Sequence, residues 1–198
     1  MLSKGSDFMT AQIGDKYTYK NNQYCIVAMN RRVDFNPKTY GLNISPSCTA
    51  CWRGFWCEYE IYDGGVVLKK LYVHTADDKY PDINGVKVNA TEDPYEYMGH
   101  RLYNDLNIGI NYSGKILIGD EYMPEYYIHA GFQRAWAYKE LKEFIFEKGI
   151  LVKINDYSDA AELIREEAKQ RGFTRSGLER IAKEKLVLDY DIDTFWFD

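Results

Sequence analysis

The chain has 198 residues, 45% of them hydrophobic and 28% charged, with a net charge of −5. These values suit one globular domain with a modest appendage and exclude an intrinsically disordered chain. The acidic balance argues against a surface built for nucleic acid, and no run approaches the roughly 20 apolar residues of a bilayer-spanning helix.

The departure from average composition is aromatic: 18 Tyr, 9 Phe and 4 Trp. Tyrosine favours half-buried pleated surfaces, because its ring is apolar and its hydroxyl needs a partner. In chain order, the first ten residues read as a loose lead-in without the apolar core of a secretory signal. A cytoplasmic protein with free thiols is therefore expected. Residues 16–20 alternate, Asn21-Asn22 offers turn chemistry and 24–29 is an apolar run, which together predict a hairpin. Residues 30–48 carry Pro37, Gly41 and Pro46 and read as a long loop.

A clearer hairpin follows. Phe55, Cys57, Tyr59 and Ile61 alternate with Trp56, Glu58, Glu60 and Tyr62, Asp63-Gly64-Gly65 turns the chain, and 66–74 returns. A second irregular stretch occupies 75–98. Residues 106–112 read as a strand that turns at Ser113-Gly114 into 115–118, and 126–132 read as a further strand. Residues 141–146 and 150–154 flank a turn at Gly149. Strands at hairpin spacing, without intervening helices, predict a mainly β fold over 10–156, an antiparallel sandwich or barrel. From 157 to 198 the pattern is helical. Ser158 is an N-cap candidate for a first helix, and Ser176 opens a capping box for a second. The apolar end, Phe195-Trp196-Phe197, is expected to dock on the β domain or to join subunits in a homo-oligomer.

Residues 47–57 concentrate the rare residue types: Cys48, Cys51, Cys57, Trp52, Trp56 and Arg53. Arg53 between two indoles can stack on rings and grip an anionic group in a fork. The bland alternative is an internal ion pair with the tryptophans in the core. Cys48, Cys51 and Cys57 supply at most three ligands of a zinc site that needs four. Cys25 or a histidine would have to complete it, so buried structural thiols are the stronger expectation, and no cofactor is expected. Tyr127, His129, Gln133 and Arg134 form a second cluster. There His129 has the chemistry of a general acid or base but no identifiable carboxylate partner. No phosphate loop, dinucleotide fingerprint or nucleophile elbow is present.

The segment Thr49-Ala50-Cys51-Trp52-Arg53-Gly54, with His129-Ala130-Gly131-Phe132-Gln133, resembles an uncharacterised bacterial family. The resemblance covers roughly 10–156 and implies a self-contained module without assigning an activity. The expected function is a non-catalytic binding module for a small anionic ligand or a partner's acidic group, held by Trp52, Arg53, Trp56, Tyr127, His129, Gln133 and Arg134. The alternatives are a hydrolase or transferase using His129, and a protein-interaction or immunity-type factor with a tyrosine-rich interface.

Overall fold

A computed structural model of the protein describes residues 10–33, 35–89, 99–129, 131–171 and 174–190. The described residues are mainly β. Nine strands form one mixed sheet: β1 (Lys16–Tyr19), β2 (Asn22–Met29), β3 (Phe55–Tyr62), β4 (Gly65–Val73), β5 (Arg101–Tyr103), β6 (Ile108–Ile110), β7 (Gly114–Tyr122), β8 (Tyr138–Glu147) and β9 (Ile150–Asp156). Two helices follow, α1 (Ser158–Arg171) and α2 (Arg175–Lys185).

Seven strands close a ring in the order β3-β1-β2-β7-β8-β9-β4, with β4 returning to β3. Closure depends on two unlike seams. One is a parallel pairing of β1 with β3, from Lys16 opposite Glu58 to Tyr19 opposite Ile61. The other is narrow: β9 meets β4 at the single pair Gly65 and Ile150, reinforced by the Leu151 amide donating to the Gly64 carbonyl at 2.6 Å. Beyond Ile150, β9 pairs only with β8, and Ile150, Val152 and Ile154 are exposed. β6 and β5 add short ladders along the far edge of β4.

The hairpin turns follow from residue types that accept positive φ. Lys20-Asn21 and Asp63-Gly64 both take it at two consecutive positions, the geometry that matches strand twist in a two-residue connection. The first turn is thus Lys20-Asn21 rather than Asn21-Asn22, because Asn22 already pairs with Tyr19.

Side chains separate into an interior and an outer layer. Inside lie Tyr17, Ile26, Tyr59, Leu68, Leu71, Ile116, Phe144 and Phe146, with Tyr17 stacked on Tyr59 at 5.0 Å between centroids. A bulge in β2 between Ile26 and Ala28 breaks the alternation. Ile26 and Met29 therefore face inward while the consecutive pair Val27 and Ala28 faces out. That outward face, with Leu117, Tyr138 and Leu141, is covered by Ala161, Ile164 and Ala168 of α1 and by Leu178, Ile181 and Ala182 of α2. Trp136, in a short 3-10 turn at Ala135–Ala137, fills the same layer. Buried Arg165 staples α1 to the sheet, donating through Nη1 to the Tyr138 carbonyl at 2.7 Å and the Trp136 carbonyl at 3.3 Å.

Several expectations need correction. Among the described residues of 126–132 there is no strand. A 3-10 turn at Pro124–Tyr126, set by Pro124, leads into irregular backbone with Gly131 at φ +67°. The strand at 106–112 shrinks to β6 because Asn107 takes positive φ, and it pairs with β4 rather than turning onto β7. At the start of α1, the Asp156 carboxylate accepts from the Ser158 amide at 2.9 Å and from its hydroxyl. Ser158 thus begins the helix rather than capping it. Thr174, not Ser176, caps α2, accepting from the Gly177 amide at 3.1 Å. The apolar end at Phe195-Trp196-Phe197 lies outside the described residues.

Because α1 and α2 complete a core with the outer face of the ring, they are expected to unfold together with it. Ile164→Ala should cost about 2–5 kcal/mol. In urea, far-ultraviolet circular dichroism and tryptophan fluorescence should then report one shared, lowered midpoint; a separate early loss of helix signal would contradict the shared core.

Candidate functional site

The two aromatic clusters are brought to the same end of the ring by a segment that carries no motif, residues 10–15. Its Gln12 amide donates to the Gly131 carbonyl at 2.7 Å, and its Ile13 amide donates to the Ala50 carbonyl at 2.8 Å. The Gln12 side chain completes the stitch: Nε2 donates to the Thr49 carbonyl at 2.7 Å and Oε1 accepts from the Trp52 amide at 3.1 Å. Gly14 is required where Phe132 crosses it, since a Cβ there would stand 2.9 Å from the ring.

Asp15 is the centre of this end. It is 5% exposed, and its Oδ1 accepts from the Cys57 amide at 2.8 Å and from Arg53 Nη2 in a very short contact, while Oδ2 accepts from Arg53 Nη1 at 3.2 Å. Arg53 Nε donates to the Phe55 carbonyl at 3.0 Å, and the guanidinium lies 4.3 Å from the Phe55 ring centroid. Burial opposes the guanidinium charge, but Asp15 outweighs it and holds the group firmly protonated. The side chain nevertheless keeps 39% of its surface exposed. Gly54 lets the chain turn here: its φ is +75°, and a Cβ would stand 2.5 Å from the Ser45 carbonyl oxygen.

Beside this pair opens a hollow of about 320 Å³. Its walls are mostly apolar, with Ile13, Met29, Val33, Phe35, Trp52, Phe55, Tyr59 and Phe132, and its polar groups are Gln12, Asp15, Arg32 and Arg53. Of the residues expected to share a site, Trp52 and Arg53 line it, and Trp52 is 53% exposed. Trp56 does not: it is fully buried on the outer face of β3, stacked on Tyr72 at 4.7 Å and edge-on to His100 at 4.5 Å. Tyr127 and His129 are exposed beside one another, the hydroxyl 3.2 Å from Nδ1, and neither lines the hollow. Gln133 clamps its own loop, accepting from the Ile128 amide and donating to the Ile128 carbonyl, both at 2.9 Å. Arg134 is buried. From that cluster it is Phe132 that reaches the hollow.

The cysteines divide between layers. Cys57 faces the interior beside Tyr17 and Tyr59, whereas Cys51 and Cys48 pack with Trp56 on the other side of β3. Burial pushes the Cys51 thiol up to about 12 and that of Cys57 higher still. Both are protonated thiols rather than nucleophiles. Among the described residues no three His, Cys, Asp or Glu side chains converge as metal ligands.

A second polar cluster was not assembled by sequence reasoning. Ser47 Oγ lies 3.0 Å from Nε2 of fully buried His100, and Ser45 Oγ lies 3.0 Å from Nδ1 of His74. The two imidazoles are 6.3 Å apart between centroids. Burial, aided by His74, lowers His100 to about 4. Compared with known proteins, the chain matches no family model, no curated protein and no solved structure. Among the described residues no helix is long and apolar enough to cross a membrane.

Two outcomes follow from these environments. Arg53→Ala strands the Asp15 carboxylate against one backbone donor and should lower stability by about 1–3 kcal/mol, discounted for the exposure of Arg53. Adding Asp15→Asn should restore part of that loss in denaturant titrations. Since folding lowers His100 below its ordinary 6.5, the unfolded chain binds the extra proton. The stability it contributes is complete above pH 6.5 and drains away as pH falls toward 4, by at most about 3 kcal/mol. His100→Gln should flatten the midpoint-against-pH curve across that window.

Proposed function

We propose that the protein is a non-catalytic binding module whose ligand is a small, flat, largely apolar molecule bearing one negative charge. The hollow at the end of the ring carries this reading: its volume lies at the low end of the range for small-molecule sites, about 300–1,000 Å³. Barrel mouths are a recurrent place for such sites, with apolar walls and a few fixed polar groups that orient the ligand.

Charge and pre-organisation sharpen the ligand class. Two guanidinium groups, Arg32 and Arg53, and one carboxylate, Asp15, line the hollow, and Asp15 is paired with Arg53. Asp15 and the Phe55 carbonyl take one hydrogen from each guanidinium nitrogen, which leaves one on each Nη for a ligand oxygen. A guanidinium held this way does not have to be ordered when the ligand arrives. Trp52, Phe55 and Phe132 offer ring faces for a planar body. The enzyme alternative needs a carboxylate within reach of His129, and among the described residues its hydrogen-bond partner is the Tyr127 hydroxyl.

Titration with benzoate and indole-3-carboxylate, followed by tryptophan fluorescence, tests the reading against the matching neutral amides. Saturable quenching is expected, at least about tenfold tighter for the anion than for the amide. Phe132→Trp, which fills the hollow, should abolish it. Equal affinity for anion and amide would remove the anionic ligand class, and no saturable binding of either would remove the site.

A further inference from the structure

The turn just ahead of Trp52 and Arg53 begins and ends with a thiol. Cys48 and Cys51 are separated by Thr49 and Ala50, and both are free. We infer that they form a reversible redox pair: a low-molecular-weight disulfide of the glutathione class oxidises them to a Cys48–Cys51 bridge, and the corresponding thiol reduces it. The inference stands independently of the proposed anion site.

Backbone and side-chain placement both suit the bridge. The Cys51 amide donates to the Cys48 carbonyl at 3.1 Å, closing a four-residue turn. Such a turn holds its end Cα atoms below about 7 Å, and a disulfide spans about 4.4–6.8 Å. The two side chains leave the turn on one side. Cys51 packs with Trp56, Tyr72 and Leu102, and Cys48 lies against the same cluster. The other thiols are kept apart: Cys57 faces the interior with Tyr17 and Tyr59, and Cys25 lies in the layer beneath the helices. Packing thus selects one pairing among the four cysteines.

Access sets the order of the steps. Cys48 is half-buried, whereas Cys51 is 2% exposed. Cys48 gives its proton to solvent, and its thiolate attacks one sulfur of the incoming disulfide. The first small thiolate leaves and takes a proton back from solvent, so Cys48 is held in a mixed disulfide. Cys51 reacts only now, with a sulfur placed beside it. Its own sulfur bonds to that of Cys48, and its proton goes to the second departing thiolate. The two cysteines lose two electrons and two protons, and the small disulfide gains both as two thiols. Burial pushes the resting Cys51 thiol up to about 12, with Arg53 offsetting part of the rise. Protonated and enclosed, Cys51 is shielded from direct oxidation and is left to resolve the adduct formed at Cys48. The turn is also a joint. Its Thr49 carbonyl accepts from Gln12 Nε2 and its Ala50 carbonyl from the Ile13 amide, so the bridge stiffens the grip on the lead-in to β1.

Incubating the full chain in glutathione buffers of rising oxidised fraction, followed by alkylation, intact mass measurement and tryptic mapping, tests this. The chain should lose two hydrogens, and two of its four thiols should escape alkylation. The tryptic peptide 39–53, which holds both residues, should carry the whole loss, and dithiothreitol should restore it. Cys51→Ser should instead retain one glutathione on Cys48, because nothing resolves the adduct. Cys48→Ser should give neither bridge nor adduct at Cys51. A bridge to Cys25 or Cys57, an adduct that persists on Cys48 of the unaltered chain, or four thiols still open to alkylation at full oxidation would each overturn the assignment.

Discussion

One carboxylate holds this end of the molecule together. Asp15 is nearly water-free, and an isolated charge there would be prohibitively expensive. Its two oxygens are instead divided between the Arg53 guanidinium and the Cys57 amide. The lead-in to β1, the turn before β3 and β3 itself are thereby fixed to one another at the place where β1 and β3 run parallel. A parallel neighbour cannot be reached by a tight turn. The long excursion between β2 and β3 is the chain's answer, and the ion pair marks where it re-enters the ring. The residue that defines the hollow is thus the one that secures its walls.

Above this junction the ring works as a divider between two apolar layers. The bulge in β2 turns Ile26 inward and Val27 and Ala28 outward. A single strand thus feeds the interior and the layer beneath α1 and α2. The helical side of that layer mixes small residues, Ala161, Ala168 and Ala182, with the larger Ile164, Leu178 and Ile181. Trp136 and Tyr138 supply its aromatic bulk from below. Buried Arg165 adds direction, because its carbonyl partners admit one seating of α1.

Much of this architecture was legible in the chain. Period-two alternation identified the faces of β3, and Asp63-Gly64 announced its turn. Of the apolar residues at helical spacing in α1, Ala160, Ile164 and Ala168 lie in the outer layer, whereas Leu163, read on the same face, is exposed. The errors share one cause. The run from Tyr126 to Phe132 alternates like a strand, yet Pro124 and the left-handed Gly131 take its backbone out of the ladder. Local pattern cannot report such tertiary constraints. The site was half visible for the same reason. Trp52 and Arg53 advertised themselves, but Asp15, Gln12 and Phe132 owe their importance to neighbours 30 or more positions away. Trp56 was misassigned because alternation shows that it faces away from Cys57, not that Tyr72 and His100 cover that side.

The narrow join between β4 and β9 makes the ring closer to a clasped cuff than to a hoop. Its fastening is one residue pair with the amide contacts of Leu151 and Val66 beside it, set between two glycine-bearing turns. Every other junction in the circuit is a ladder of several rungs. Thermal opening is cheapest where the fewest buried contacts and backbone bonds must break. By that measure the clasp is the junction of the ring that costs least to open.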